Sequence, residues 1–448
     1  MLPPRAASVT GRGDDPQRPP VVLVGLASVI GLQTARLLHD RGIRVIGLAG
    51  DPGHYAARTR TCERVLAADV HGPGFLEVLE VLGEELAEEL ADARAAGLPG
   101  PVLLPCTDRA VLVVAQHAAA LRRWFEVPLS GFDTVHALTD KAAFADLIDR
   151  VGLQGPATRV VRDAADVEIA AGLRFPVVVK PSVKSHHWRT VTRSKVCRVE
   201  DPTGLRELCA RVGRAAGALV VQELVDGDED RLITCNSYVD RHGRTLASFT
   251  SRKRRQWPPA LGIASYAEPV EDAEVAALAE RLFADAGFHG LAYLEVKRDR
   301  ASGRPVLIEA NVGRPTGRSA MAEASGVELL MTMYADAVGL PLPPAAERRQ
   351  APGGPAWINL RRDALAFWAA RRAGAMTARE WSQDLRRPLV HAVWSRRDPM
   401  PFIMELCHSS RRAWTRTTGR RATSPRPAAP LPLPPSRTPD VTVRRAAE

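Results

Sequence analysis

The spacing of short, wholly apolar runs is what most constrains this fold. VVLVG (residues 21–25) is followed by LASVIGLQTARLLHDRG, which is amphipathic at helical spacing and closes at Gly42. A second apolar run, IRVIGLAG, comes next. Strand, helix, strand in that order reads as a βαβ start with a parallel sheet, because a tight hairpin cannot return the chain in the same direction. The alternation continues with a predicted helix over 74–96, the strand PVLLP, and a helix in CTDRAVLVVAQHAAAL with Thr107 or Asp108 as N-cap. Residues 21–135 are therefore expected to form a small open α/β domain. Gly25 and Gly31 are too far apart for a GxGxxG fingerprint, which argues against a nicotinamide-dependent enzyme.

Beyond residue 135 the pattern changes. A helix is expected at 140–151, then the loop GLQGPAT and the strand FPVVVKP (175–181). The polar stretch SVKSHHWRTVTRS leads to a strand KVCRV, a helix DPTGLRELCARVGRAA, the strand ALVVQELV and an acidic turn DGDED. RLITCNSYVD and TLASFTSRK follow, joined around Arg241–Gly243. A helix at 271–287 then precedes GLAYLEVKRD, the turn RASGR and PVLIEANV. Paired strands with Gly-containing turns read as antiparallel hairpins, so this region is α+β. Residues 341–356 are a linker by composition. Beyond them a helix is expected at 357–372, with Trp357, Leu360 and Phe367 on one stripe, and another at 377–387 opened by a Thr377/Glu380 capping box. The two ends, 1–20 and 415–448, are rich in Pro and Arg and are expected to be disordered.

The chain has 448 residues, 45% hydrophobic and 25% charged, as an ordinary globular protein does. No run approaches the ~20 apolar residues of a membrane span, and the first residues lack the apolar core of a secretory signal. Six cysteines without CxxC spacing argue against a zinc site or a disulfide framework and suit a reducing cytoplasm. The net charge is +10, but residues 344–448 hold 20 Arg against 8 acids. The basic excess thus belongs to the tail, and no nucleic-acid partner is expected.

Only six of the 61 basic residues are lysines: Lys141, Lys180, Lys184, Lys195, Lys253 and Lys297. An ammonium is a compact point charge where a guanidinium is a wide planar fork, so these lysines are candidates for tight anion contacts. Lys180 ends the apolar run FPVVVKP, an odd choice unless its ammonium meets an anion. Glu309 and Asn311 lie two apart on a predicted strand and so share a face. If LAYLEVK pairs with PVLIEAN, Glu295 can meet them. Two carboxylates and an amide oxygen form the hard-ligand set that Mg²⁺ prefers. The strand ending in Gln222-Glu223-Leu224-Val225 offers an edge to a base, and the acids after it offer contacts to ribose hydroxyls. The run Arg252-Lys253-Arg254-Arg255 follows another strand. His186 and His187, on an extended chain, would face opposite ways and share no metal. Cys106 reads as a buried structural thiol.

In this order, these residues resemble the ATP-grasp superfamily over residues 21 to about 340. The resemblance implies an N-terminal α/β domain (21–135) followed by an ATP-grasp domain (136–343) with a lid subdomain at about 153–220. A helical extension (344–414) would precede the basic tail. It also implies that Lys141 and Lys180 contact ATP phosphates, that Gln222, Glu223, Leu224 and Val225 frame the adenine, and that Asp230 meets the ribose. Arg252 or Lys253 would face the triphosphate, and Glu295, Glu309 and Asn311 would hold Mg²⁺, with Mn²⁺ as an allowed substitute. Arg314 and Arg318, in ANVGRPTGRS, would receive a substrate carboxylate. The extension with REW and WSRRDPMPF is similar to that of carboxylate–amine ligases of the D-aspartate ligase branch. Two departures stand out: residues 182–194 contain no glycine where many lids have a glycine-rich loop, and the longer acidic turn lets Asp228, Glu229 and Asp230 compete for the ribose.

The implied activity is ATP-dependent ligation of a carboxylate to an amine through an acyl phosphate, giving ADP and phosphate. The expected partners are small-molecule acids and amines, amino acids among them, and a homodimer is compatible with the sequence. The alternative is a non-catalytic ATP-binding or assembly protein on the same scaffold. Retention of Glu295, Glu309 and Asn311 argues against it.

Overall fold

Four apolar strands pair in parallel in the order Arg64–Ala67, Val45–Ala49, Val21–Val24, Val102–Pro105. The computed structural model describes residues 18–182, 186–259 and 262–417, with the side chains of Ala164, His186 and residues 409–417 excepted. The expectations for the lead-in before residue 18, for Lys184 and for the tail beyond residue 417 lie outside them. The helix Val29–Asp40 crosses between the first two strands, with Ser28 Oγ accepting from Gly31 N at 2.9 Å as N-cap. Thr107, rather than Asp108, caps the helix Asp108–Leu121. Gly25 ends the first strand at φ +97°, and a Cβ there would stand 2.8 Å from Thr107 Cγ2, so glycine is required for the strand ends to lie this close.

A second sheet has seven strands in the order Pro305–Val312, Gly290–Arg298, Leu232–Val239, Thr245–Trp257, Ile263–Pro269, Ala356–Ile358, Leu389–His391. All its pairings are antiparallel except the last. One face carries Ile233, Cys235, Leu294, Val296, Leu307 and Ala310 into a core shared with the helix Ala273–Asp285 and the first α/β unit. The third sheet is antiparallel, in the order Thr158–Val161, Leu219–Glu223, Val177–Pro181, Cys197–Val199. Val177, Val179, Val221, Leu205 and Trp188 give it a separate small core. Among the described residues no helix is long and apolar enough to cross a membrane.

Two local expectations are corrected. Trp357 does not begin a helix. It lies on the strand Ala356–Ile358 opposite Ala267, buried between the large sheet and the first unit, and the helix starts at Leu360. Trp357 Nε1 donates to Gln33 Oε1 at 3.3 Å, so tertiary burial outweighs the helical stripe read from sequence. His186 and His187 are not on an extended chain but open the short helix His186–Thr192, and the His187 Nε2 lies 2.9 Å from the Val212 carbonyl. The capping box at Thr377 and Glu380 is present, opening the helix Ala378–Leu385. The helix Met400–Thr417 runs past residue 414, where composition alone ends the extension.

Two buried aspartates fasten the C-terminal segment. Asp363 accepts from Arg255 Nε at 2.8 Å and Nη2 at 3.0 Å, from Ser265 Oγ at 3.0 Å and from Trp381 Nε1 at 2.8 Å. Asp398 accepts from Arg36 Nε at 2.9 Å and Thr59 Oγ1 at 2.6 Å in the first unit.

Candidate active site

Strand alternation divides the third sheet into two faces. Val177 and Val179 enter its small core, so Val178 and Lys180 face away from it. Lys180 pairs with Val220 and Val178 with Gln222, which puts Lys180 and Gln222 together on that outward face. Lys180 is nonetheless only 8% exposed. Burial lowers its pKa to about 8, nearby Lys141 adds to the fall, and Glu309 and Glu295 oppose it. Lys141 begins the helix Lys141–Arg150, whose N-cap Asp140 takes Ala142 N and Ala143 N at 3.0 Å each. Asp140 also accepts from Ser182 Oγ at 2.6 Å, and Lys141 Nζ reaches the Ser182 carbonyl at 3.4 Å. The cap thus ties Lys141 to the end of the Lys180 strand.

In the seven-stranded sheet, the hairpin Gly290–Arg298/Pro305–Val312 sets Glu295 opposite Glu309 and Tyr293 opposite Asn311, with a bulge just past Glu295. Glu295, with its side chain 12% exposed, packs against Lys253, whose Nζ lies 3.3 Å from Oε2, and Tyr293 OH donates to the same oxygen at 2.9 Å. Burial alone would raise its pKa, but Lys253, Arg318 and the Tyr293 hydroxyl outweigh that and hold the carboxyl below its usual value. Tyr293 is pushed well above the ordinary phenol value by burial, so it stays a donor. Asn311 Nδ2 lies 3.4 Å from Glu309 Oε1.

The run Arg252-Lys253-Arg254-Arg255 is divided by alternation and a bulge. Arg252 pairs with Ile233 on the helix-covered face, away from Glu295, while Lys253 points to Glu295 and to Gln256 Oε1 at 3.4 Å. Of the two candidates for the triphosphate, only Lys253 shares the face of Glu295. This corrects the expectation for Arg252. Arg254 is exposed beside Glu268. Arg255, after the bulge, grips Asp363 and Asp384 and stacks 4.2 Å from the centroid of Tyr266.

The connection beyond the strand Leu219–Glu223 is held from both sides. Gln222 Nε2 donates to Thr158 Oγ1 at 3.0 Å. Glu223 alternates to the other face, where its carboxylate takes Arg174 N at 2.9 Å and the Arg174 guanidinium at 3.2 Å. Its side chain is thereby turned from the base edge that the sequence suggested. Leu224 N donates to the Pro176 carbonyl at 3.0 Å. The Val225 carbonyl accepts from Lys297 Nζ at 2.8 Å. In the acidic turn Asp228 pairs with Arg300 at 2.7 Å, and Asp230 is exposed.

Arg314 and Arg318 differ in how fully they are engaged. Arg314 donates to Asp108 Oδ1 at 2.6 Å, Asn311 Oδ1 at 2.8 Å and the Pro315 carbonyl at 3.2 Å. Arg318 is buried over the Tyr293 ring, 5.6 Å to its centroid, and its Nε has no partner among the described residues. That donor is free to meet a water or a ligand atom. Cys106 is fully buried, and burial pushes its thiol up to about 12.

Sequence reasoning passed over Tyr293, Asp108 and Asp140, whereas Lys297 already stood among the six candidate lysines. Tyr293 was legible, since counting by two from Glu295 puts it on the same face. Asp108 was not, because its partner is 206 residues away.

Among the described residues no group of three or more His, Cys, Asp and Glu is placed to hold a metal. The mixed set fits Mg²⁺ better than a protein-only cage. Glu309, Asn311 and Glu295 share one face, and Mg²⁺ commonly takes one or two carboxylates while keeping waters and substrate phosphates.

No family model matches the chain. Its fold is the ATP-grasp fold. In sequence it resembles the carboxylate–amine ligases of that superfamily. It is 23% identical to D-aspartate ligase of Enterococcus faecium over 232 residues, 49% of this chain and 54% of the relative. It is 30% identical to D-alanine–D-alanine ligase of Xylella fastidiosa over 210 residues, 43% of this chain and 64% of the relative. The match therefore spans less than two thirds of either relative's length. Among solved structures, the biotin carboxylase domain of Hydrogenobacter thermophilus 2-oxoglutarate carboxylase, in complex with MgADP, ADP and bicarbonate, superposes with a TM-score of 0.55 at 14% identity, covering 75% of this chain and 72% of that one.

Proposed function

We propose that the chain is an ATP-dependent ligase that joins a carboxylate to an amine through an acyl phosphate. One observation carries this reading: Glu309, Asn311 and Glu295 share one face of the hairpin, and Lys253 Nζ lies 3.3 Å from Glu295 Oε2 on that face. Candidate phosphate-binding cations and candidate metal-binding oxygens therefore lie together. In the reaction, a substrate carboxylate oxygen attacks the γ-phosphorus and ADP leaves. The amine nitrogen then attacks the acyl carbon, phosphate leaves, and the nitrogen gives up a proton. Lys180, Lys141 and Lys253 offset the charge on the transferring phosphoryl group, and catalysis is positioning and electrostatics with no protein nucleophile. Glu309, Asn311 and Glu295 would hold Mg²⁺, or Mn²⁺ in its stead, which would supply further neutralisation of phosphate oxygens. Arg318, with its unpartnered Nε, receives a substrate carboxylate. The adenine lies along Leu224 and Val225, with Gln222 at its margin, and the ribose near the acidic turn at Asp230.

The relatives' names, D-aspartate ligase and D-alanine–D-alanine ligase, support an amino acid as one reactant. The test is incubation with ATP, Mg²⁺ and pairs of amino acids, with phosphorus NMR for the nucleotide products and mass spectrometry for a product equal to the pair less water. ADP and phosphate together with such a product are expected. ATP that binds but is never turned over with any pair would reject the ligase reading.

A further inference from the structure

Arg314, just past the hairpin strand Pro305–Val312, makes three hydrogen bonds, and its partners form a chain. Asp108 Oδ1 accepts from Nε at 2.6 Å, Nη2 donates to Asn311 Oδ1 at 2.8 Å, and Asn311 Nδ2 lies 3.4 Å from Glu309 Oε1. Asp108 belongs to the first α/β unit, at the start of the helix Asp108–Leu121, whereas the other three residues belong to the hairpin strand or the turn after it. The Arg314 side chain is 11% exposed, so this pairing is not a solvent-screened surface contact.

We propose that Asp108 is a positioning residue for the divalent-cation site, acting through Arg314 on the amide of Asn311. The inference rests on the reading of Asn311 as a metal ligand. Two physical arguments support it. An asparagine amide presents an oxygen at one end and an NH₂ at the other, and only the oxygen can bind a cation. A guanidinium has donors and no acceptor, so Arg314 fixes which end of Asn311 is the oxygen, and the second lone pair of that oxygen remains for a metal. A guanidinium this close also repels a divalent cation. The Asp108 carboxylate offsets that charge and draws the guanidinium toward the first unit. Loss of Asp108 would remove both effects, and each loss weakens metal binding. Arg314 then has an orienting role, and of these two arginines Arg318 keeps an unpartnered donor for substrate.

The test uses the full chain with ADP and Mn²⁺, with free Mn²⁺ followed by electron paramagnetic resonance. Asp108→Asn, Arg314→Lys and Glu309→Gln are compared with wild type. Asp108→Asn keeps the shape and removes the charge. Arg314→Lys keeps the charge and removes the fork that reaches both partners. The expected result is a ~10–100-fold rise in the Mn²⁺ dissociation constant in both, the range seen when a group that orients a metal ligand is lost. ADP affinity measured without metal should not change. Wild-type Mn²⁺ affinity in Asp108→Asn, with binding lost in Glu309→Gln, overturns the role of Asp108 and leaves the metal reading intact. Wild-type affinity in Glu309→Gln overturns the metal reading itself. If thermal unfolding shows that Asp108→Asn does not fold, Arg314→Lys decides by the same criterion.

Discussion

Lys180 allows a prediction in which stability and binding move in opposite directions. Its ammonium is buried at the end of the strand Val177–Pro181, and burial lowers its pKa from 10.5 to about 8. At ~1.36 kcal/mol per pH unit, that difference corresponds to a cost of about 3 kcal/mol for holding the charged form in the folded, ligand-free protein. The unfolded lysine keeps its proton up to 10.5 and the folded one only up to about 8, so between these values the unfolded state binds more protons. Wild-type stability from this group therefore rises with pH through that window, and the cost is fully present below it. Lys180→Met keeps the unbranched stem and removes the ammonium. Glu295 retains Lys253 and Tyr293 as partners in the variant. The variant should gain about 3 kcal/mol near about pH 6.5 and only about 1 kcal/mol near about pH 9.5. The assay is urea unfolding without nucleotide at the two pH values, extrapolated linearly to water. ATP affinity should behave oppositely: lost in the variant, and in wild type falling up to about tenfold per pH unit above about pH 8 as the ammonium deprotonates. A variant that is less stable than wild type at the lower pH, or an ATP affinity that is flat across the range, would refute the argument.

Three further outcomes follow from the geometry. Glu309→Gln should reduce ligase turnover by ~100-fold or more, the scale for removing one preorganised electrostatic contact, and a coupled assay of ADP release that finds near-normal turnover would reject Glu309 as a ligand. Asp363→Ala leaves Arg255 buried with only Asp384 as carboxylate partner and should cost about 3–5 kcal/mol in urea unfolding; a loss of under about 1 kcal/mol would mean that the C-terminal segment is held elsewhere. Lys297→Met removes the donor to the Val225 carbonyl and should raise the KM for ATP roughly tenfold, about the value of one charge-assisted hydrogen bond, with little change in kcat; equal falls in kcat and kcat/KM would place Lys297 at the phosphates instead.

Much of this architecture depends on local periodicity and was legible before any fold was known. VVLVG and IRVIGLAG, separated by one amphipathic helix, required parallel pairing, and Val21–Val24 and Val45–Ala49 pair in that way. Alternation by two put Glu309 and Asn311 on one face, and hairpin pairing brought Glu295 opposite Glu309. The Thr377/Glu380 box marked a helix start, because a cap depends on residues three apart. Packing decided the rest. The sequence offered four consecutive cations at 252–255; alternation and a bulge sent one to the helix-covered face, one to Glu295, one to solvent and one to Asp363. Trp357 became a strand residue because the sheet and the first unit bury it together. The burial of Lys180 depends on how the third sheet packs, and the Asp108–Arg314 contact needs two units brought together across 206 residues. Periods of two and 3.6 are properties of neighbouring residues and can be read along the chain. Burial, charge environment and long-range pairing depend on which faces meet, and only the folded arrangement sets them.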